Sequence, residues 1–137
     1  MLPSIEYRTT KEHGSEGPFP TNIRLAAAVT LRTGSVVVTG GRGGERDVWM
    51  STVDTPVMWS RRQDMLEGRK GHAAVVVNIG SEDMVVVAGG WGNGGKELDS
   101  VHVYKPKLDR WDVLQKMLSP RVDFDLHFQV CMLHLGF

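Results

Sequence analysis

Short apolar runs rich in valine and alanine punctuate this chain, each closed by glycine, proline or a cluster of charges. Leu25–Leu31 is apolar and strand-like, and Arg32-Thr33-Gly34-Ser35 reads as a turn. Val36–Thr39 is a second run, and two such runs across a glycine-containing turn predict an antiparallel hairpin. Beyond a glycine-rich loop, Asp47–Val53 alternates, with Val48, Met50 and Thr52 on one face and Trp49, Ser51 and Val53 on the other. Trp59 opens a fourth run that dissolves into the polar stretch 61–70. Ser60–Glu67 contains acceptable helix formers, so a helix there is the competing reading. Residues 1–22 show neither period. They read as a flexible leader, part of which also suits a strand whose neighbour is missing.

The series then starts again. His72–Ile79, a turn at 80–83 and Met84–Ala88 lead to a second glycine pair. A loop over 91–97, Ser100–Tyr104, a turn at Pro106 and Trp111–Leu114 follow. Asp47 and Asp99, Trp49 and Val101, Asp54 and Pro106, Trp59 and Trp111, and Arg69 and Arg121 are each 52 residues apart. The glycine pairs, Gly40-Gly41 and Gly89-Gly90, are 49 apart, and Arg24 and Arg69 are 45 apart. Length variation is thus expected in the turns. A self-similar unit of this period signals a repeat architecture.

The second copy carries Arg69, His72-Ala73-Ala74, Gly89-Gly90, Tyr104-Lys105-Pro106, Trp111 and Met117-Leu118-Ser119-Pro120-Arg121. In that order these resemble the kelch repeat. The first copy departs from it, with Thr52 in the tyrosine position and Gly68 where proline is usual before Arg69. The resemblance implies an all-β fold of four-stranded antiparallel meander blades, as in a β-propeller. One blade is expected over 24–68, a second over 69–121 and the first strand of a third over 122–130, together a partial propeller over 23–137. About two blades make an incomplete propeller, so the chain reads as a fragment of a longer one. Open blade edges also predict self-association or marginal stability. Gly40, Gly41, Gly89 and Gly90 are expected to supply backbone freedom, and Trp59, Trp111 and Tyr104 to pack. Arg69 and Arg121 are expected to cap or bridge blades.

Composition narrows the function. Sixteen basic and sixteen acidic residues cancel, so no global charge recruits nucleic acid or an anionic membrane surface. The single cysteine, Cys131, excludes an intrachain disulfide and points to a reducing, cytoplasmic location.

Several motifs invite chemistry. Gly90-Trp91-Gly92-Asn93-Gly94-Gly95-Lys96 has the spacing of a phosphate-binding loop as far as its lysine. It is followed by Glu97 instead of the Ser or Thr that holds magnesium, and by a strand pattern instead of a helix. Thr52–Trp59 resembles a degenerate Asp box, a structural turn in sialidase-type propellers. Tyr7 and Tyr104 are too few for a galactose oxidase-like copper site. His127, Cys131 and His134 fall short of a zinc set. No cofactor or metal is expected.

The resemblance therefore implies a non-enzymatic protein-interaction scaffold. The alternative is a remnant of an enzyme propeller of the galactose oxidase or sialidase type. In a meander the loop between strands two and three shares an end with the connection to the next blade. That end collects Arg42, Arg46, Lys70, Trp91, Asn93 and Lys96, the candidate residues for a protein partner. The opposite end is expected to carry only tight turns.

Overall fold

The structure is a computed structural model that describes residues 16, 17, 19 and 23–120. It contains nine strands: β1 (Glu16–Gly17), β2 (Ala27–Thr30), β3 (Val36–Thr39), β4 (Val48–Ser51), β5 (Trp59–Arg61), β6 (Ala73–Ile79), β7 (Glu82–Ala88), β8 (Val101–Lys105) and β9 (Arg110–Leu114). They form two antiparallel sheets, ordered β1-β5-β4-β3-β2 and β6-β7-β8-β9. Apart from β1, each sheet is a four-stranded meander. Residues 62–70 are irregular, and the helix weighed for Ser60–Glu67 does not form. Its two basic side chains, Arg61 and Arg62, are instead drawn to acceptors in both sheets.

Each sheet is a sandwich filling between two apolar layers. Val37 and Val48 from the first sheet, with Met65 from its exit segment, meet Val85, Val87, Tyr104 and Trp111 from the second in one shared cluster. The far face of the first sheet holds Val38, Trp49 and Trp59. The far face of the second holds Val86, Val101, Val103 and Met117. The two inner strands, β2 and β6, lie side by side. Alternate residues of each strand thus serve opposite layers, as the period of two requires.

Of the expected leader, residues 16, 17 and 19 are described, and they are held in the fold, 16 and 17 as the strand that the alternative reading allowed. Glu16 and Gly17 pair with Ser60 and Trp59 on the outer edge of the first sheet. Phe19 is 2% exposed. Its ring stands edge-on to Trp59 at 4.7 Å and to Trp49 at 6.3 Å. A lone aromatic between two prolines gives no periodic signal. It is held because two tryptophans offer it a large apolar surface. The third-blade strand expected at 122–130, and Arg121, lie outside the described residues.

The repeat register also needs correction. In the first sheet Thr39 pairs with Val48 and Val38 with Trp49. In the second, Ala88 pairs with Val101 and Val87 with His102. The third strand is therefore offset by 53 residues, while Trp59 and Trp111, opposite Ser51 and Tyr104, remain at 52. Ser51, not Thr52, stands in the tyrosine position, and Trp49 corresponds to His102 rather than to Val101. One residue matters because it exchanges the two faces of a strand. The identity of Asp47 with Asp99 favoured the shorter offset, but cross-strand pairing sets the register. The loop after the glycine pair absorbs the difference.

The first strand is likewise offset by 46, with Ala27 opposite Thr39 and Ala73 opposite Ala88. Arg24 thus corresponds to Lys70, and Ile23 to Arg69. The backbone agrees, since Leu25 has φ 62° and Gly71 has φ 61°. The left-handed region costs an L side chain roughly 1–2 kcal/mol, and Leu25 is 52% exposed, so little packing offsets that cost. Leu25→Gly is expected to stabilise the chain by about 0.5–1 kcal/mol. Chemical denaturation measures it, and a loss of stability would contradict the assigned backbone.

Candidate functional site: the loop end of the two sheets

Two glycine pairs build the loop end. Gly40 and Gly41 have φ 63° and 99°, and Gly89 and Gly90 have φ 67° and 87°. A Cβ on Gly40 would run into the carbonyl oxygen of Arg69, so only glycine lets the two segments meet there. Beyond each pair the chain bridges back to the segment before the first strand of its sheet, and Trp91 also bridges Glu97. Arg42 bridges Arg24, and Trp91 bridges Lys70. Lys70 and Trp91 exchange both backbone hydrogen bonds, at 2.8 and 3.0 Å. Arg42 and Trp91 are therefore equivalent positions, each set by its backbone.

The six partner candidates fall on three pieces of this end. Arg42 and Arg46, both exposed, stand on the loop after β3. That loop is tied to the exit segment of the first sheet. The Met65 amide donates to Arg46 O at 2.9 Å, the Arg69 amide donates to Glu45 O at 2.8 Å, and Arg46 Nε donates to Met65 O at 2.9 Å. Lys70 continues this segment and meets Trp91. Asn93 and Lys96 are exposed at the tip of the loop after β7. A 3-10 turn at Asn93–Gly95 and a hydrogen bond from the Gly92 amide to Lys96 O at 2.7 Å shape that tip. No hydrogen bond or ion pair joins Arg42 to the 91–97 loop among the described residues.

Trp91 is only half-buried. Its ring covers Gly71, where an added Cβ would lie 2.5 Å from the six-membered ring. Packing and display are thus both parts of its role. The sequence resemblance to a phosphate-binding loop ends at the 3-10 turn, because no helix N-terminus follows Lys96.

Beneath this end lies a polar cluster built on Arg69, a residue expected to cap or bridge blades, whose burial and partners the sequence did not show. Arg69 is fully buried, and its guanidinium reaches from the first sheet's exit into the second sheet. Nη1 donates to Gly89 O at 2.7 Å and Ser100 O at 3.3 Å, and Nη2 donates to Ser100 Oγ at 2.8 Å. Glu67 Oε1 lies 3.6 Å away and accepts the Ser100 hydroxyl at 2.6 Å. Burial pushes the Arg69 guanidinium down to about 10, which leaves it charged at neutral pH. His72 Nε2 is hydrogen bonded to Thr39 Oγ1 at 2.8 Å, joining the sheets. Burial first, and then the Arg69 charge, push His72 down to about 3, so it stays neutral. The same two causes lower His102. In the first sheet Ile23 fills the Arg69 position. The guanidinium there comes from Arg61, which contacts Asp47 at 2.6 Å and Asp64 at 2.7 Å. A basic residue after a polar run was the available signal, but nothing in its spacing showed that it was buried.

The other repeat residues join the sheets further out. Tyr104 OH donates to Asp109 Oδ1 at 2.7 Å and accepts from Arg62 Nε at 2.9 Å. Trp111 Nε1 donates to Gln63 O at 2.9 Å. No three His, Cys, Asp or Glu side chains gather to hold a metal among the described residues. His127, Cys131 and His134 lie outside them. The opposite end is more than tight turns, since a cavity of about 490 Å³ lies there between the sheets.

Known proteins resemble parts of this architecture. Residues 68–118, the second sheet and its flanks, match the family described as Kelch motif. The chain is also 29% identical over 127 residues to Beta-scruin of Limulus polyphemus, an alignment covering 86% of this chain. The chain spans about 13% of that relative's length. Residues 68–118 thus match a kelch motif, and the sheet before them repeats its four-stranded meander.

Proposed function

We propose that this chain is part of a non-enzymatic, cytoplasmic scaffold that holds a protein partner at its loop end. The observation that carries the reading is the paired bridge, Arg24 with Arg42 and Lys70 with Trp91. It fixes two chemically different side chains, a guanidinium and an indole, at equivalent places on a rigid frame. Arg and Trp are the residue types that most often anchor protein interfaces. Exposed Arg46, Asn93 and Lys96 surround them with polar groups, as the rim of such an interface requires. The kelch motif supports a role in protein interaction. The match to Beta-scruin, of which this chain spans about 13%, supports its being part of a longer chain.

Affinity capture from an extract of the source cells tests the reading. Trp91→Ala and Arg42→Ala are each expected to weaken partner retention about tenfold or more. The melting transition should move little for Arg42→Ala, which is exposed, and modestly for Trp91→Ala, which loses its contact with Gly71. Retention unchanged by both substitutions would contradict the assignment of this end.

A further inference from the structure

The tip of the loop after β7 joins an asparagine to a glycine, Asn93-Gly94, and gives neither any support. Asn93, Gly94 and Gly95 are exposed, and the 3-10 turn they make buries no residue. Two backbone hydrogen bonds close that turn, from the Gly95 amide to Gly92 O at 3.1 Å and from the Gly92 amide to Lys96 O at 2.7 Å. Neither uses the Gly94 amide, which has no partner among the described residues. A Cβ on Gly94 or Gly95 would meet nothing within 4 Å. Gly94 has φ 73°, and glycine leaves that region at little steric cost. A loop tip with so few contacts opens locally far more readily than the sheets beneath it.

An asparagine carries its own electrophile. Its side-chain amide carbon, Cγ, lies one five-membered ring away from the backbone nitrogen of the next residue. The ring closes only if that residue leaves its nitrogen uncrowded and the backbone is free to swing the nitrogen toward Cγ. Asn93 meets both conditions. The other two asparagines, Asn22 and Asn78, each precede isoleucine, whose branched side chain crowds the nitrogen. Asn78 is exposed as well, so exposure alone does not separate it from Asn93. It is held in the β6–β7 ladder opposite Asp83, to which its side-chain amide donates.

From this contrast we infer that Asn93 is a self-modification site, converted by the Gly94 backbone nitrogen into a succinimide and then by water into aspartate and isoaspartate. The Gly94 N–Cγ bond forms as the Cγ–Nδ2 bond breaks, and the Gly94 amide proton leaves with the side-chain nitrogen as ammonia. Water then adds at either imide carbonyl. Breaking the new N–Cγ bond gives aspartate, and breaking the original peptide bond gives isoaspartate. The loop over 91–97, in which Lys96 and Glu97 cancel, thereby becomes net negative. Isoaspartate also adds a methylene to the main chain inside the turn. This chemistry belongs to the loop alone and holds whether or not the loop end receives a partner.

Peptide mapping of the purified chain, aged at physiological temperature and mildly alkaline pH, tests the inference. Electron-transfer fragmentation distinguishes isoaspartate from aspartate at each position. Isoaspartate should accumulate at position 93, outweigh aspartate there and form faster as pH rises, while Asn78 keeps its amide. Asn93→Gln has to close a six-membered ring and should convert at least about tenfold more slowly. A synthetic peptide of residues 90–98 gives the unrestrained rate, and the folded chain should come within about tenfold of it. Slower conversion in the chain than that, aspartate without isoaspartate, equal conversion at Asn78, or an Asn93→Gln chain that converts as fast would overturn the inference.

Discussion

Replacing Arg69 with methionine is expected to cost about 3–5 kcal/mol, a large part of the stability of a chain this size. Methionine matches the arginine stem in length and bears no donor. Exchanging a whole buried ion pair for apolar side chains is often neutral, because both charged partners leave together. Arg69 is different because two of its acceptors, Gly89 O and Ser100 O, are backbone carbonyls and remain. Ser100 Oγ and Glu67 also lose their cation. Leaving a buried acceptor unsatisfied costs about 1–3 kcal/mol each. Arg69→Lys should recover part of the loss, since it keeps charge but cannot fork between Gly89 and Ser100. Urea denaturation of the three proteins gives the order directly. Arg69→Met within about 1 kcal/mol of the parent would show that the guanidinium does not join the sheets.

Trp111→Ala is expected to be equally severe, at about 3–5 kcal/mol. Trp111 is 5% exposed and sits in the cluster shared by both sheets. Its ring lies 5.0 Å from Tyr104. Truncation opens a cavity between the sheets and frees the Gln63 carbonyl that its Nε1 holds. Trp111→Phe separates these terms, because it keeps much of the apolar area and gives up the hydrogen bond, at about 1–2 kcal/mol. Trp59, the equivalent residue, packs against Phe19 instead of a neighbouring sheet. Thermal melting checks the pair of substitutions. A Trp111→Ala protein that melts with the parent would contradict the shared core.

Strand content, the meander order and the repeat were legible in the sequence because glycine pairs, alternation and paired tryptophans are local signals. Register was not. The offset that matches Asp47 to Asp99 competes with the one that pairs Thr39 with Val48 and Ala88 with Val101, and only hydrogen bonding across strands decides between them. The match of Arg24 to Arg69 failed similarly. A leucine at positive φ hides its equivalence to Gly71, and an isoleucine takes the place of the buried arginine. The partner candidates at the loop end were placed by strand order alone. The fixed backbone under Arg42 and Trp91, the buried cluster around Arg69 and the groove between the sheets all depend on tertiary packing, which local pattern does not encode.

The most direct test of the scaffold role is photo-crosslinking from the loop end in an extract of the source cells. A benzophenone side chain at exposed Lys96 is compared with one at Val113, 67% exposed on the outer strand β9. A discrete protein adduct from position 96, lost on adding Arg42→Ala and Trp91→Ala, and absent from position 113, is the predicted result. Equal adducts from both positions, or none from position 96, would contradict it.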